Sequence, residues 1–377
     1  MLSFWEKNSF LNYDVIIVGG GINGLSAACA IKEKHPNKSV LILERGSWPL
    51  GASTRNAGFA CFGSFSEIRD DIAQNGLDKA LQLIEWRVKG LEIHKKRLGV
   101  SKMGYKATGG GEIIFDDELF DIGELSEMNK NLYPILKNDV FKTDISKVSE
   151  YGFNPKNIRQ FITNSCEGQV DSGLLMYNLW QYTANLGVMI MNGMEVQDFN
   201  DTGKKCEVIA KHNLIKEQPT FTCQTLIFST NAFSQRFFPN MDVVPSRGQI
   251  LATKPIEGLK FEGIFHFREG YYYFRNYGNR ILFGGGRNEN IEGETTTEIA
   301  LNDSIQNSLE LYLKTLIIPD TAYEVDCRWA GIMAFGKDKL PIIERVSENV
   351  IAGVRMGGMG VALSGVTAER IAEMILE

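Results

Sequence analysis

Residues 13–24 read YDVIIVGGGING, an apolar strand running into Gly19, Gly21 and Gly24 at G-x-G-x-x-G spacing with a helical pattern behind it. Each glycine answers a separate physical need. Gly19 permits a tight strand-to-helix turn, Gly21 lets a pyrophosphate approach the backbone with no Cβ in the way, and Gly24 lets the helix lie close on the strand. The helix begins near Ile22 and Asn23, so its unpaired first-turn N–H groups and positive dipole end face an anion. A second apolar strand, VLIL at 40–43, ends at Glu44, twenty residues beyond Gly24, where a carboxylate can accept from ribose hydroxyls. Strand, glycine turn, helix and acid in this order predict a dinucleotide site.

Composition bounds what surrounds it. A chain of 377 residues with 44% hydrophobic content can bury a large core and has the length for two domains. A net charge of -6 argues against nucleic acid as a main partner. The six cysteines, 29, 61, 166, 206, 223 and 327, are far apart in sequence and contain no C-x-x-C. They read as reduced thiols of a cytoplasmic protein. Four histidines without H-E-x-x-H spacing predict no metal site. Glu6 and Lys7 interrupt what a signal peptide would need as an apolar stretch, and no run reaches the roughly 18 apolar residues of a membrane span. Phe4, Trp5 and Phe10 read as packing against the body, with contact to a membrane surface as the alternative.

Alternating elements follow without repeats or a low-complexity linker, so two domains would be interleaved. The loop RGSWPLGASTRNAGF after Glu44 carries hydroxyl donors at Ser53 and Thr54. One long helical stretch is expected over about 65–98, glycine-rich strand material at 105–115, a helix over 169–187 with Leu174, Leu175, Leu179 and Tyr182 on one face, and a strand around 188–196. TLIFS at 225–229 reads as a buried strand ending at Thr230. Segments 248–253, 271–275 and 280–283 predict a second, antiparallel sheet. VIAGV at 350–354 then enters a glycine loop at Gly357, Gly358 and Gly360 and a helix to Ile375, which makes a second helix N-terminus behind glycines.

Taken in order, VGGGINGLSAA, LERG with GASTRNAG, EGQVDSGLL, PSRGQIL, RILFGGG, WAGIMAFGKDKLPII and MGGMGVALSGVTAERIAEMI resemble the D-amino-acid oxidase superfamily of FAD-dependent oxidoreductases, the group of glycine oxidase, sarcosine oxidase and γ-glutamylputrescine oxidase. The likeness spans nearly the whole chain. It implies an α/β fold, a Rossmann-like FAD-binding domain (10–90, 150–235 and 325–377) interleaved with a smaller α+β substrate domain (91–149 and 236–324) carrying a mainly antiparallel sheet. It also implies that Gly19, Gly21, Ile22, Asn23 and Gly24 hold the pyrophosphate and that Glu44 and Arg45 meet the adenosine ribose. Ser53, Thr54, Arg55, Asn56, Ala57 and Gly58 would thread between phosphates and isoalloxazine. Val196 would meet the adenine through its backbone, and Thr230 would flank the phosphates. Gly331, Gly357, Gly358, Met359, Gly360 and Val361 would surround the flavin ring. Two departures stand out. The arginine that often follows the late Gly-Leu or Gly-Ile motif and grips a substrate carboxylate is Met333 here. The cysteine and lysine that sarcosine oxidases use for flavin attachment and oxygen reaction are matched by Gly331 and Leu282, so the FAD is expected to be non-covalent.

With one dinucleotide fingerprint, electrons should come from a small-molecule substrate lying on the flavin. The working expectation is oxidation of the C–N bond of an amine or amino acid by hydride transfer to flavin N5, giving an imine that hydrolyses, with oxygen or a quinone as the final acceptor. Candidates for the substrate face are Tyr271, Tyr273 and Arg275 on one side of a predicted strand, with Arg55, His266 and Arg328. Each has a packing alternative: cross-strand pairs for the tyrosines, ion pairs for the arginines and a satisfied buried position for His266. A second reading is oxidation of a 2-hydroxy acid or polyol phosphate, which would need a base, with His266 the candidate. A third is a flavin-containing binding protein without turnover.

Overall fold

In the computed structural model, which describes residues 2–212 and 218–375, the fingerprint strand Asn12–Val18 lies inside an eight-stranded sheet. Residues 213–217 and 376–377 of the expected FAD-binding segments lie outside the described residues. Five strands run parallel in the order Val350–Val354, Thr220–Phe228, Asn12–Val18, Val40–Glu44 and Met189–Asn192. Ile17 aligns with Ile227 on one side and Ile42 on the other. These strands are nearly unbroken runs of β-branched and other apolar residues because helices cover the sheet. Ile342–Ser347 closes one edge antiparallel, and the antiparallel strands Met194–Asp201 and Cys206–His212 extend from Thr220–Phe228.

The second sheet also has eight strands, ordered Val325–Phe335, Val244–Thr253, Arg280–Gly285, Tyr272–Tyr277, Ile264–Phe267, Gly110–Phe115, Ile158–Asn164 and Phe141–Thr143. Its pairs are antiparallel except Ile264–Phe267 with Gly110–Phe115. One face buries a phenylalanine-rich core around Phe265, Phe267, Phe274 and Phe283. The molecule is thus a mixed α/β fold with a doubly wound sheet and a mainly antiparallel one.

Sheet membership departs from the expected domain boundaries. Ile158–Asn164 and Val325–Phe335 belong to the second sheet, and the helix Leu77–Leu98 packs on the helix Gly360–Glu373 of the first layer system. The expected long helix over 65–98 is two helices, Phe65–Asn75 and Leu77–Leu98, because Gly76 adopts φ +83° with ψ 158°, a conformation open to glycine. The helix expected from 169 starts at Ser172, where the Asp171 carboxylate accepts the Leu174 N–H at 2.9 Å, and Gln169 instead pairs as a short strand. Leu174 is 46% exposed, and the buried face is Leu175, Met176, Leu179 and Thr183. Gly193, at φ +71°, divides the strand expected over 188–196. Only Gly110–Phe115 of the stretch 105–115 is strand. Phe4 and Trp5 do not pack on the body: they sit exposed on the short helix Phe4–Ser9, none of whose residues is buried. Cys206 and Cys223, distant in sequence, face each other across adjacent strands as free thiols. Among the described residues no helix is long and apolar enough to cross a membrane.

The helix Gly360–Glu373 crosses both Ile22–Lys34 and Leu77–Leu98. The second crossing depends on two glycines: a methyl group at Gly90 would overlap the Ala362 carbonyl oxygen, and one at Gly365 would lie 2.5 Å from the Gly90 oxygen. Gly90→Ala is therefore expected to lower stability by about 1–3 kcal/mol, seen as a lower melting temperature. In the same crossing His94 Nε2 meets Ser364 Oγ at 2.8 Å, and burial pushes the imidazole down to about 3, so it folds neutral. An unfolded histidine protonates near 6.5, so from that pH downward the folded state loses about 1.4 kcal/mol per pH unit through this residue until the folded value is reached. His94→Gln escapes that loss; the difference in unfolding free energy between wild type and variant should move by about 2 kcal/mol toward the variant from pH 6.5 to 5 in urea titrations.

Candidate functional site

A cavity of about 840 Å³ opens where the two sheets meet, in the range of about 300–1,000 Å³ common for ligand sites. Two helix N-termini point at it. The helix Ile22–Lys34 starts from Gly21 and the helix Gly360–Glu373 from Met359, and neither has a side-chain cap. Ser53 Oγ, from the loop before Gly58, accepts the Ile22 N–H at 2.9 Å. The N–H groups of Asn23 and Gly24 in the first helix and of Gly360 and Val361 in the second have no intrahelical acceptor by position, whereas that of Ala362 already bonds Met359 O at 3.1 Å.

Backbone geometry explains the glycines around these turns. Gly19 has φ +105°, and a Cβ there would lie 2.8 Å from the Ser229 carbonyl oxygen; a Cβ on Gly24 would overlap the Gly19 oxygen. Gly21 lines the cavity, where a Cβ would stand 2.9 Å from Ser53 Oγ. Glu44 accepts the N–H groups of Gly20 and Gly46, each at 2.8 Å, which closes the loop behind the turn. The two cradles are tied together by asparagines. Asn23 Nδ2 donates to Gly353 O at 2.8 Å, and Asn231 Oδ1 accepts from the N–H groups of Arg355 and Met356 at 3.1 Å each.

Of the expected cofactor residues, Gly19, Gly21, Ile22, Asn23, Glu44, Arg45, Ser53, Arg55, Asn56, Ala57 and Gly58 line this cavity. So do Val196, Thr230, Gly331 and the run 357–361. Gly24 sits behind the wall, and Thr54 turns away to donate to Pro49 O at 2.6 Å. Arg55 is held by two carbonyls, Leu50 O at 3.0 Å and Ala330 O at 2.9 Å, and so bolts the loop to the second sheet.

Tyr271, Tyr273 and His266 line the opposite part of the cavity, whereas Arg275 and Arg328 do not. Arg275 donates to Gly58 O at 2.6 Å and Val170 O at 2.8 Å; burial lowers its guanidinium to about 10, still charged at pH 7. It props the Gly58 turn. Arg328 pairs with Gln306 at 2.7 Å and Glu310 at 2.5 Å on the outer side of its strand. Both arginines therefore take the ion-pair or packing role instead of a substrate role.

His266 is not the satisfied residue that the packing alternative requires. It is buried, its ring stands edge-on to Phe59, and among the described residues neither ring nitrogen has a hydrogen-bond partner. The nearest acid oxygen, Glu67 Oε2, is 4.0 Å away, beyond hydrogen-bond reach. Burial pulls the imidazole below its usual value, with Glu67 opposing, so it is neutral at pH 7. Glu67 lies below the ordinary carboxylate range: burial pushes it up, but His266, Lys339, the Ser64 N–H and Arg87 together outweigh that. Burial raises the Tyr273 phenol to about 12, so it remains a donor.

Among the cavity residues that the sequence reading passes over are Glu67, Arg87 and Arg287. Glu67 is visible only as the acid of a capping box with Ser64. Arg87 lies in the middle of a helix and donates to Phe62 O at 2.7 Å. Arg287 follows the triplet Gly284 to Gly286, whose signal is the end of a strand that delivers the next side chain to the cavity.

A family model described as "FAD dependent oxidoreductase" (DAO) matches residues 14–374. The chain belongs to this DAO family of FAD-dependent oxidoreductases. It is 24% identical to the "probable oxidoreductase OrdL" of Haemophilus influenzae, covering 96% of this chain and 83% of that one. It is also 24% identical to hydrogen cyanide synthase subunit HcnC of Pseudomonas protegens, covering 96% and 92%. The glycine oxidase structure from Geobacillus kaustophilus superposes with a TM-score of 0.76 at 19% identity, over 97% of this chain and 94% of that one. The N-terminus of Ile22–Lys34 with its Cβ-free Gly21 suits the diphosphate of the DAO family's FAD, and the N-terminus of Gly360–Glu373 opens on the same cavity. Gly21→Ala should leave the far-ultraviolet circular dichroism unchanged and weaken FAD binding to apoprotein roughly tenfold or more by fluorescence titration.

Proposed function

We propose that the protein oxidises the C–N bond of an amine or amino acid to an imine that water hydrolyses, with FAD held non-covalently in this cavity and reoxidised by oxygen or a quinone. Glu44, Arg45 and Val196 would hold the adenosine end, the N-terminus of Ile22–Lys34 and Ser53 the diphosphate, and residues 55–58, Gly331 and 357–361, with the N-terminus of Gly360–Glu373, the flavin end. Bound FAD supplies the hydride acceptor, N5. Non-covalent binding is supported by Cys61, a thiol on the cavity wall, whose burial beside Glu167 and Glu67 holds it far above its usual pKa and hence protonated and unreactive. The six free cysteines accord with a reducing cytoplasmic location.

The observation that carries the C–N reading is the state of His266. A dedicated base for an alcohol is held in one tautomer by a hydrogen-bonded partner, and among the described residues this ring has none, Glu67 Oε2 standing 4.0 Å from Nδ1. A neutral imidazole of unfixed tautomer suffices to take one proton from a substrate ammonium, after which the amine's own lone pair drives hydride loss. The phenol of Tyr273, kept protonated, orients the substrate as a neutral donor.

The alternative, oxidation of a 2-hydroxy acid or polyol phosphate, is favoured by the same ring's position in the cavity and makes a different prediction. For an amine, His266→Ala should slow turnover at neutral pH and recover toward wild type as pH rises past the substrate's own pKa. For an alcohol, kcat should fall by about 10²–10⁴ at every pH. Steady-state pH profiles with normal flavin content separate the two.

A further inference from the structure

In the second sheet Arg247 is paired with Glu294 and Arg328 with Glu310, and Arg275 is spent on two backbone carbonyls. Arg287 is different. Its guanidinium lines the cavity between two rings, 4.3 Å from the centre of Phe335 and 5.1 Å from that of Tyr271. Among the described residues it has no ion pair and no hydrogen bond, and burial draws its pKa below the ordinary arginine value. A cation that is partly desolvated, with its five N–H donors unspent, lowers its energy when an anion arrives.

The neighbouring wall shows where such an anion would sit. Met333 and Phe335 are two residues apart on Val325–Phe335 and share a face. Arg287 stacks on Phe335. Met333 reaches between Tyr273 and the glycine turn: a Cβ on Gly248 would be 2.8 Å from Met333 Cε and 3.7 Å from Tyr273 Oη, and one on Gly358 would be 3.3 Å from Met333 Sδ. The strand itself brings no charge to this wall, and the cation comes from the Arg287–Asn290 turn instead. Lys339, also on the cavity, is taken by Asp71 at 2.6 Å. One planar fork beside one phenol matches a carboxylate, with two oxygens and a single charge, better than a phosphate that calls for a second cation.

We propose that Arg287 anchors a carboxylate of the substrate, which makes the substrate an amino acid rather than a simple amine. The reacting C–N bond rests on the function proposed above; the carboxylate site does not. The test is binding without turnover. FAD-loaded protein is titrated anaerobically with acetate, propionate and benzoate and with the matching amides, followed by calorimetry and by perturbation of the flavin absorbance.

Carboxylates should bind about 10- to 100-fold more tightly than their amides, and Arg287→Met should remove that difference at unchanged flavin content. Arg287→Lys should keep part of it. Arg287→Met combined with Met333→Arg should restore it, because the cation then reaches the same wall from the strand. Equal binding of acids and amides by wild type, or an acid preference that survives in Arg287→Met, overturns the proposal. If the acid preference depends on Arg287 yet only 2-hydroxy acids are turned over, the carboxylate site stands and the C–N reading falls.

Discussion

Two glycine turns that leave helix N-termini uncapped on one cavity form the constraint on which the architecture depends. Placing buried N–H groups where the chain offers them no acceptor is costly unless a ligand completes them. The chain keeps the arrangement by stiffening everything around it. Gly19 and Gly24 bring backbone against backbone, Glu44 closes the loop behind the first turn, and Asn23 and Asn231 reach across to the second. The Gly90 and Gly365 contacts pin the second helix from behind. In a protein of net charge -6 the two turns thereby aim the positive ends of two helix dipoles at one cavity.

The second sheet supplies what the first cannot, a wall of side chains opposite the backbone cradle. Arg55 and Trp329 hold the 51–58 loop to that wall, with Arg55 donating to Ala330 O and Trp329 Nε1 donating to Arg55 O at 2.9 Å. Arg275 props the same loop from its other end. Three arginine or tryptophan side chains are thus spent on backbone carbonyls. This is the physical reason that two basic candidates from the sequence serve position instead of chemistry.

What the sequence revealed divides along this line. The parallel sheet and both glycine turns were legible because their signals are local: a run of apolar residues, a fixed glycine spacing and a helix behind it. Where a single backbone angle decided the outcome, at Gly76 and Gly193, periodicity carried straight through the break. The pairing of Val325–Phe335 with Val244–Thr253 is not legible in the sequence, because the partner lies some eighty residues earlier and pairing at that range leaves no mark in either segment. The placement of the candidate residues follows a similar rule: those defined by the backbone come together on the cavity, while the direction in which Arg275 or Arg328 extends depends on acceptors elsewhere in the chain.

Arg287 shows why the substrate end is the hardest to read. A site needs a charge at a point in space, and several elements can deliver it there. When Met333 occupies the strand position, the cation has to come from another element, and the turn after Gly286 passes close enough to provide it. The stacking on Phe335 and Tyr271 gives a long, flexible side chain a fixed direction without spending any of its donors. An ion pair with a glutamate would have fixed it as firmly but would have neutralised it. Aromatic rings hold the guanidinium in place and leave its charge available to a ligand.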